Sequence, residues 1–316
     1  MPFILQVLKQ KEAFILLNHS LYLKRGYKTM NTVKSKNYII QYVIYTYGLF
    51  GLLLLTLGGI ATVLLHGTPL VMRWLIAITA WTPTYVLLLM FKKLYPNSTV
   101  KVFYKKAFNK KLNIRLLVTT AIIQITVFAS SVYMVSIQRG VPTISLLNFS
   151  FQTVISALFF TLIQGSTGEE SGWRGYLLPA VEEKFGVVKG SLIVSFIWSF
   201  WHAPIWFLGT GYSGTVLLKY IIVFVICITS LGFIIGICYH RCKNLFIPIW
   251  IHFTFNFLGE IFKGFRIDLV SWYAAFYFIM AIGFFLWNKT NYVFVRTEDT
   301  DDEKYLYTGK KQQKDI

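Results

Sequence analysis

Long apolar runs, separated by short clusters of polar and basic residues, make up most of the chain. Several runs approach or exceed the roughly 20 residues that an α-helix needs to cross a bilayer. They lack the alternation of barrel strands, and lipid offers backbone polar groups no partner, so they predict transmembrane helices. The seventh run is short and the fourth contains polar residues, which leaves counts of seven or nine open. Eight spans are expected, at residues 38–65, 70–91, 116–137, 144–164, 190–208, 216–239, 246–262 and 270–287.

The composition agrees with this pattern, because 55% of the residues are hydrophobic and only 14% are charged. A soluble domain typically carries about 25% charged residues. We therefore expect an all-α, polytopic membrane protein in which residues 37–288 form the helical domain. Residues 1–36 are expected to form a basic cytoplasmic segment and residues 289–316 a polar cytoplasmic tail. No signal peptide is apparent, and either Met1 or Met30 could be the start.

The formal net charge of +18 is concentrated in alternate loops. Cytoplasmic loops of membrane proteins carry an excess of Lys and Arg, so both termini are expected in the cytoplasm. The abundance of Lys, Ile, Phe, Tyr and Asn suits an AT-rich bacterial genome, which favours a bacterial plasma membrane. The expected partners are membrane lipids and a membrane-associated substrate, and no nucleic acid; the sequence leaves the oligomeric state open. The basic loops contain Lys24, Arg25, Lys28, Lys34 and Lys36, then Lys92, Lys93, Lys101, Lys105, Lys106, Lys110, Lys111 and Arg115, then Arg174, Lys184 and Lys189, then Arg241 and Lys243.

Two adjacent carboxylates, Glu169 and Glu170, follow a stretch from residue 13 to residue 168 that contains no Asp or Glu. Burying an unpaired carboxylate costs several kcal/mol. Glu170 and Arg174 have the four-residue spacing that lets two side chains pair on one helical face, which would leave Glu169 free. The structural alternative is a solvated helix start beyond the fourth span, with acids favourably placed at its N-terminus.

Two histidines, His202 and His252, lie inside predicted spans, where ionisable residues are functional candidates. Pro204 cannot donate a backbone hydrogen bond, so we expect a kink beside His202. Asn256 follows His252 by four residues and shares its helical face. The alternative for each is a polar contact between helices. Together with the carboxylates, two imidazoles and an amide could activate water and stabilise an oxyanion.

These residues form three motifs that resemble those of the CPBP family of intramembrane proteases, also called the Abi or type II CAAX prenyl endopeptidase family. The resemblance covers roughly residues 146–258, which form the motif core of the predicted protease domain. Trp198 stands where the second motif often begins with Phe. The three motifs are Glu169-Glu170-x-x-x-Arg174, Trp198-x-x-x-His202 and His252-x-x-x-Asn256.

The resemblance implies a role for each motif residue. Glu169 matches the glutamate that activates the attacking water. Glu170 and Arg174 match a supporting pair. His252 and Asn256 match the residues that face the substrate carbonyl and its oxyanion.

His202 matches a histidine that holds the water or a metal, and the cofactor question stays open. Glu169, His202 and His252 could supply three Zn²⁺ ligands with one open position. The His-Glu-x-x-His pattern is absent, and a metal-free glutamate mechanism is also consistent with the resemblance.

Two other protease classes fit less well. Ser213 lies in a Gly-x-Ser-Gly pattern like that of rhomboid proteases. However, it is expected near the external end of its span, about 15–20 Å in depth from His252, so the two could not form a hydrogen bond. The paired-Asp pattern of presenilin-type proteases is absent because the predicted spans contain no Asp.

We therefore expect an intramembrane endopeptidase that hydrolyses membrane-associated peptides or proteins. The resemblance is compatible with bacteriocin self-immunity, peptide maturation and regulated proteolysis of a membrane factor. A non-proteolytic scaffold or sensor that binds a partner through the same cavity is the main alternative, and a transporter is a third.

Overall fold

The computed structural model describes residues 32–291, with side chains described for residues 37–288. The chain divides into two compact units, Met1–Ile40 and Gln41–Ile316. Of the first unit, only residues 32–40 are described, and they are helical. The expected basic segment before residue 32, the choice between Met1 and Met30, and the expected tail after residue 291 lie outside the described residues.

The described residues are almost entirely helical. A 3₁₀ turn, Thr143–Leu146, and two π-helical segments, Leu162–Ser166 and Trp173–Leu177, connect some of the helices. The twelve α-helices are α1 (Thr32–Val63), α2 (Pro69–Ala80), α3 (Thr82–Leu94), α4 (Val100–Ala107), α5 (Ile114–Arg139), α6 (Phe151–Thr161), α7 (Thr167–Gly172), α8 (Leu178–Trp201), α9 (Ala203–Leu208), α10 (Gly214–Cys242), α11 (Phe246–Glu260) and α12 (Arg266–Asn291).

This architecture confirms the predicted class, an all-α polytopic membrane protein. Residues 32–291 contain no β-strand, only an isolated bridge between Leu147 and Phe262. Among the described residues, six helical stretches are long and apolar enough to cross a membrane. One of them, Phe151–Leu208, includes most of the fourth predicted span and all of the fifth, and it is interrupted at Gly186, whose φ of 76° is left-handed. The seventh predicted span corresponds to α11, which has 15 residues and is not among the six.

The prediction for the fourth span was wrong at its start. The expected span covered residues 144–164, whereas α6 begins at Phe151, and the helical stretch continues past the two glutamates into α8. The hydroxyls of the polar run before the glutamates bond to the preceding helical turn. Ser166 Oγ donates to Thr161 O at 2.7 Å, and Thr167 Oγ1 donates to Leu162 O at 2.6 Å. The glutamate pair therefore lies within a helical stretch.

The two π-helical segments lie on either side of the glutamate pair. Such segments often occur at functional sites, where they change the direction of nearby side chains. In the first, Gln164 leaves helical geometry with ψ of −123°. The indole of Trp81 satisfies the neighbouring carbonyl, because its Nε1–H donates to Ile163 O at 2.6 Å. Trp81 therefore supports the irregular backbone beside Glu169.

Small residues allow α8 and α10 to pack closely. A Cβ atom built on Gly232 would lie 2.6 Å from Ser195 Oγ, and one built on Gly236 would lie 2.6 Å from Ser191 Oγ. Close backbone approach through small residues is a common way for transmembrane helices to associate. This contact fixes α8, whose last turn carries Trp198.

The kink expected at Pro204 is present. Helix α8 ends at Trp201, His202 follows as its C-cap, and α9 begins at Ala203. The break places the His202 side chain at the boundary between two helices. It therefore determines where one of the candidate imidazoles lies.

Candidate active site

Glu170 connects two helices through a buried carboxylate. Its Oε1 accepts hydrogen bonds from Arg174 Nη1 at 2.9 Å and from His252 Nδ1 at 2.8 Å. Both carboxylates and the Arg174 guanidinium are buried. The pairing expected from the spacing of Glu170 and Arg174 is present, and the bond to His252 joins α7 to α11. Because the hydrogen bond to Glu170 uses Nδ1 of His252, the Nε2 atom of the same ring is left for other contacts.

Glu169 is not free, which corrects the expectation from the sequence. Its Oε2 accepts hydrogen bonds from Trp198 Nε1 at 2.5 Å and from Trp173 Nε1 at 3.3 Å. Helical spacing along the sequence shows the cation that pairs with Glu170 but not the indoles that reach Glu169. An indole N–H is a hydrogen-bond donor, and buried tryptophans usually find an acceptor. The side chain of Glu169 is 3% exposed, so these bonds largely replace its contact with water.

Glu169 and His252 both pack closely against Gly165. A Cβ atom at residue 165 would lie 2.6 Å from Glu169 Oε1 and 2.9 Å from His252 Nε2. These are the two polar atoms that the protein contacts above leave available. The two atoms therefore lie close to each other, and only a residue without a side chain fits beside them.

His202 is held by its own helix and by aromatic rings. Its Nδ1 lies 2.9 Å from Trp198 O, and its ring lies 4.9 Å from the Trp201 ring and 5.2 Å from the Phe224 ring, centroid to centroid. A carbonyl oxygen only accepts, so Nδ1 carries the proton in this bond. Nε2 of the neutral ring is then an acceptor.

Asn256 lies one helical turn beyond His252 on α11. Its carboxamide makes no hydrogen bond to another described residue, although it is partly buried. It therefore presents an available N–H donor on the helical face that carries His252.

The four predicted catalytic residues share one cavity of about 320 Å³. Its lining continues along α11 to Glu260 and reaches Arg266 at the start of α12. At that end Glu260 accepts from Arg73 Nη2 at 2.9 Å and lies 3.7 Å from Arg266 Nη2. Glu170 and Arg174 do not line the cavity and lie behind it, as a supporting pair would. The catalytic candidates in the wall are Glu169, His202, His252 and Asn256, and the aromatic walls include Phe50, Trp198, Trp201, Phe224, Phe255 and Tyr273.

The predicted zinc ligands do not fit a metal in this arrangement. Among residues 32–291, no three His, Cys, Asp or Glu side chains are placed so that they could hold a metal ion. We therefore derive no step through a metal, and the zinc requirement of Glu169, His202 and His252 stays a prediction.

The serine of the rhomboid-like pattern lies away from this cavity. Ser213 is exposed at the start of α10 and is not among the residues that line the cavity with His252. The described residues therefore place no serine nucleophile from this pattern beside either candidate histidine.

Comparison with known proteins agrees with the motifs. Residues 150–258 match the family model described as type II CAAX prenyl endopeptidase Rce1-like. CAAX prenyl protease 2 from Methanococcus maripaludis is 29% identical to this chain over 169 residues, which cover 50% of this chain and 62% of that protein. The chain thus matches less than two thirds of the length of this relative. The resemblance to the type II CAAX prenyl endopeptidase family, also called CPBP, that the three motifs predicted is confirmed over the Rce1-like region, residues 150–258.

Proposed function

We propose that this protein is a glutamate-dependent intramembrane endopeptidase with Glu169 as its general base. The observation that carries the proposal is the convergence of Glu169 Oε1 and His252 Nε2 beside Gly165, in the wall of the cavity. A general base must lie within hydrogen-bond reach of the proton it removes. A water molecule in the cavity next to Glu169 Oε1 would meet that condition.

In the proposed reaction, this water gives a proton to Glu169 Oε1 while its oxygen attacks the scissile carbonyl carbon. The tetrahedral intermediate then collapses, the C–N bond breaks, and Glu169 returns the proton to the leaving nitrogen. The products are a carboxylate and an amine. No metal is needed for the proton balance.

His252 and Asn256 are the proposed oxyanion donors. When both ring nitrogens of His252 carry protons, Nδ1–H donates to the Glu170 carboxylate, which is paired with Arg174, and Nε2–H can donate to the oxyanion. Asn256 adds a second N–H from the next turn of α11. Preorganised donors of this kind typically contribute about 10²–10³-fold to the rate. His202 is proposed to accept a hydrogen bond from the attacking water or from the substrate through Nε2.

The proposed substrates are membrane-associated peptides or proteins. The aromatic and aliphatic cavity wall suits apolar side chains, and the few polar groups at one side would fix the peptide bond. The Methanococcus relative is named for CAAX prenyl proteins. For this chain, we propose peptides of a bacterial plasma membrane, including precursors that require maturation and bacteriocins that threaten the producing cell. The distribution of Lys and Arg supports cytoplasmic termini.

Comparative peptidomics tests the activity and identifies the substrate. Membranes would be compared from cells that carry the wild-type protein, Glu169→Gln or Glu183→Gln. Glu183 is an exposed glutamate of α8 and provides the control for loss of one carboxylate. We expect certain peptide ends in the wild type and the control that are missing with Glu169→Gln.

The outcome also separates proteolysis from binding. If cells with Glu169→Gln retain both the phenotype and every peptide end, the hydrolysis proposal is wrong. If the peptide ends are lost while a phenotype of the protein persists, that phenotype depends on binding through the cavity and not on cleavage.

A further inference from the structure

Trp198 contacts three residues of the candidate site through different parts of its indole. Its Nε1–H donates to Glu169 Oε2 at 2.5 Å. The Arg174 guanidinium lies over its ring, 4.4 Å from the centroid, and the His252 ring meets it edge to face at 5.0 Å. Trp198 is 1% exposed, so its position is fixed by packing on all sides.

We infer that Trp198 is a positioning residue that holds the general base in its reactive orientation; this inference rests on the proposed function. The two oxygens of a carboxylate are equivalent, but the plane of the group can turn about its bond to the side chain. With one oxygen bonded to the indole, the plane is fixed and the other oxygen, Oε1, is directed toward Gly165 and His252. Hydrogen bonds to an ionised acceptor are roughly twice as strong as neutral ones, so the preference is substantial.

The indole is suited to this task because it can donate but cannot accept. It orients the carboxylate without offering an alternative site for the proton that Glu169 removes from water. Trp198 also belongs to α8, so its bond links Glu169 to the helix that ends at His202. The second donor, Trp173, is at 3.3 Å and lies in the same helical stretch as Glu169, so it makes a longer and more local contact.

The substitution Trp198→Phe removes the N–H donor and keeps an aromatic ring, so it tests the two separately. The resembled motif often begins with Phe, so an aromatic ring of that size suits the position. Trp198→Phe would retain contacts with Arg174 and His252 but would remove the bond to Glu169. Trp206→Phe is a matched control because Trp206 is 3% exposed, its Nε1 has no partner among the described residues, and it does not line the cavity.

The kinetic test uses purified protein in liposomes and a synthetic copy of a peptide whose cleavage Glu169→Gln abolishes. Loss of a bond to a charged group predicts that Trp198→Phe lowers kcat by ~10-fold to 100-fold with KM unchanged. We expect a smaller decrease for Trp173→Phe and none for Trp206→Phe. Equal kcat values for Trp198→Phe and Trp206→Phe would overturn the inference and leave the proposed function intact.

A substrate-independent test uses thermal unfolding in one detergent. Trp198→Phe and Glu169→Leu are measured singly and together, and the same cycle is made with Trp206→Phe. We expect the Tm changes to be non-additive for Trp198 with Glu169 and additive for Trp206 with Glu169. Additive changes in both cycles would overturn the contact. Retained cleavage of every peptide by Glu169→Gln would instead overturn the proposed function, and with it the role of Trp198.

Discussion

Gly165→Ala is the most informative single change in the cavity wall. The added methyl carbon would lie 2.6 Å from Glu169 Oε1 and 2.9 Å from both Cε1 and Nε2 of His252. Gly165 does not have a left-handed φ, so its backbone accepts alanine. The substitution therefore tests the space between the two side chains and not the conformation of the chain.

The size of the effect follows from these distances. Favourable contacts between non-bonded heavy atoms lie at about 3.5–4.0 Å. Glu169 or His252 must therefore move by roughly 1 Å, and a displacement of that size can lower a rate by about 100-fold. Overpacking also lowers the free energy of unfolding by about 1–3 kcal/mol. We expect kcat to decrease by about 100-fold or more because the methyl group displaces Glu169 Oε1 or the His252 ring from its reactive position.

The assay is cleavage of the peptide identified by peptidomics, with the rate normalised to folded protein measured by thermal unfolding. Gly236→Ala is the matched control because its Cβ would also lie 2.6 Å from a neighbour, Ser191 Oγ, at a distance from the reacting groups. Gly48→Ala adds a methyl group with no atom within 4 Å. Wild-type cleavage by folded Gly165→Ala would refute the proposed placement of Glu169 and His252 as reacting groups.

Three further predictions concern the supporting pair, the oxyanion donor and the helix contact. Arg174→Ala leaves Glu170 buried without its cation and should reduce the free energy of unfolding by about 3–5 kcal/mol. In thermal unfolding, the double variant with Glu170→Ala should lose less stability than the sum of the losses of the two single variants. Asn256→Ala should lower kcat by about 10²–10³-fold with little change in Tm, because the carboxamide makes no hydrogen bond to a described residue, and a wild-type kcat would exclude it as a donor. Gly236→Val should separate α8 from α10 and lower Tm more than Gly236→Ala does, since its larger side chain meets Ser191; equal Tm values would argue against close packing there.

The sequence predicted the contacts that depend on helical periodicity. The spacing of Glu170 and Arg174 places both on one face, and their ion pair is present at 2.9 Å. The break at Pro204 follows from a missing backbone donor. These features are local, so they need no knowledge of which helices are neighbours.

The partners of Glu169 could not be predicted in this way. The bond from Trp198 crosses 29 residues of sequence and depends on the packing of α8 against the helical stretch of Glu169. An indole among apolar residues also gives no sign that its N–H is needed. The close approach of Glu169 and His252 at Gly165 likewise depends on the position of His252 on another helix.

The continuation of the helix beyond the fourth predicted span was missed for a related reason. Gly168 and its polar neighbours resemble a solvated helix end, but Gly168 packs against Trp81, whose Cδ1 would lie 2.5 Å from an added Cβ. Small residues here allow close packing inside the protein. Only the tertiary structure distinguishes this arrangement from a loop at the membrane surface.

The central claim is that Glu169 removes the proton from the water that attacks a peptide bond. Its most direct test is cleavage of the identified peptide by purified protein in liposomes, with Glu169→Gln compared to Glu183→Gln at equal folded amounts. The account predicts wild-type cleavage by Glu183→Gln and no detectable cleavage by Glu169→Gln. Cleavage by Glu169→Gln at the wild-type rate would contradict it.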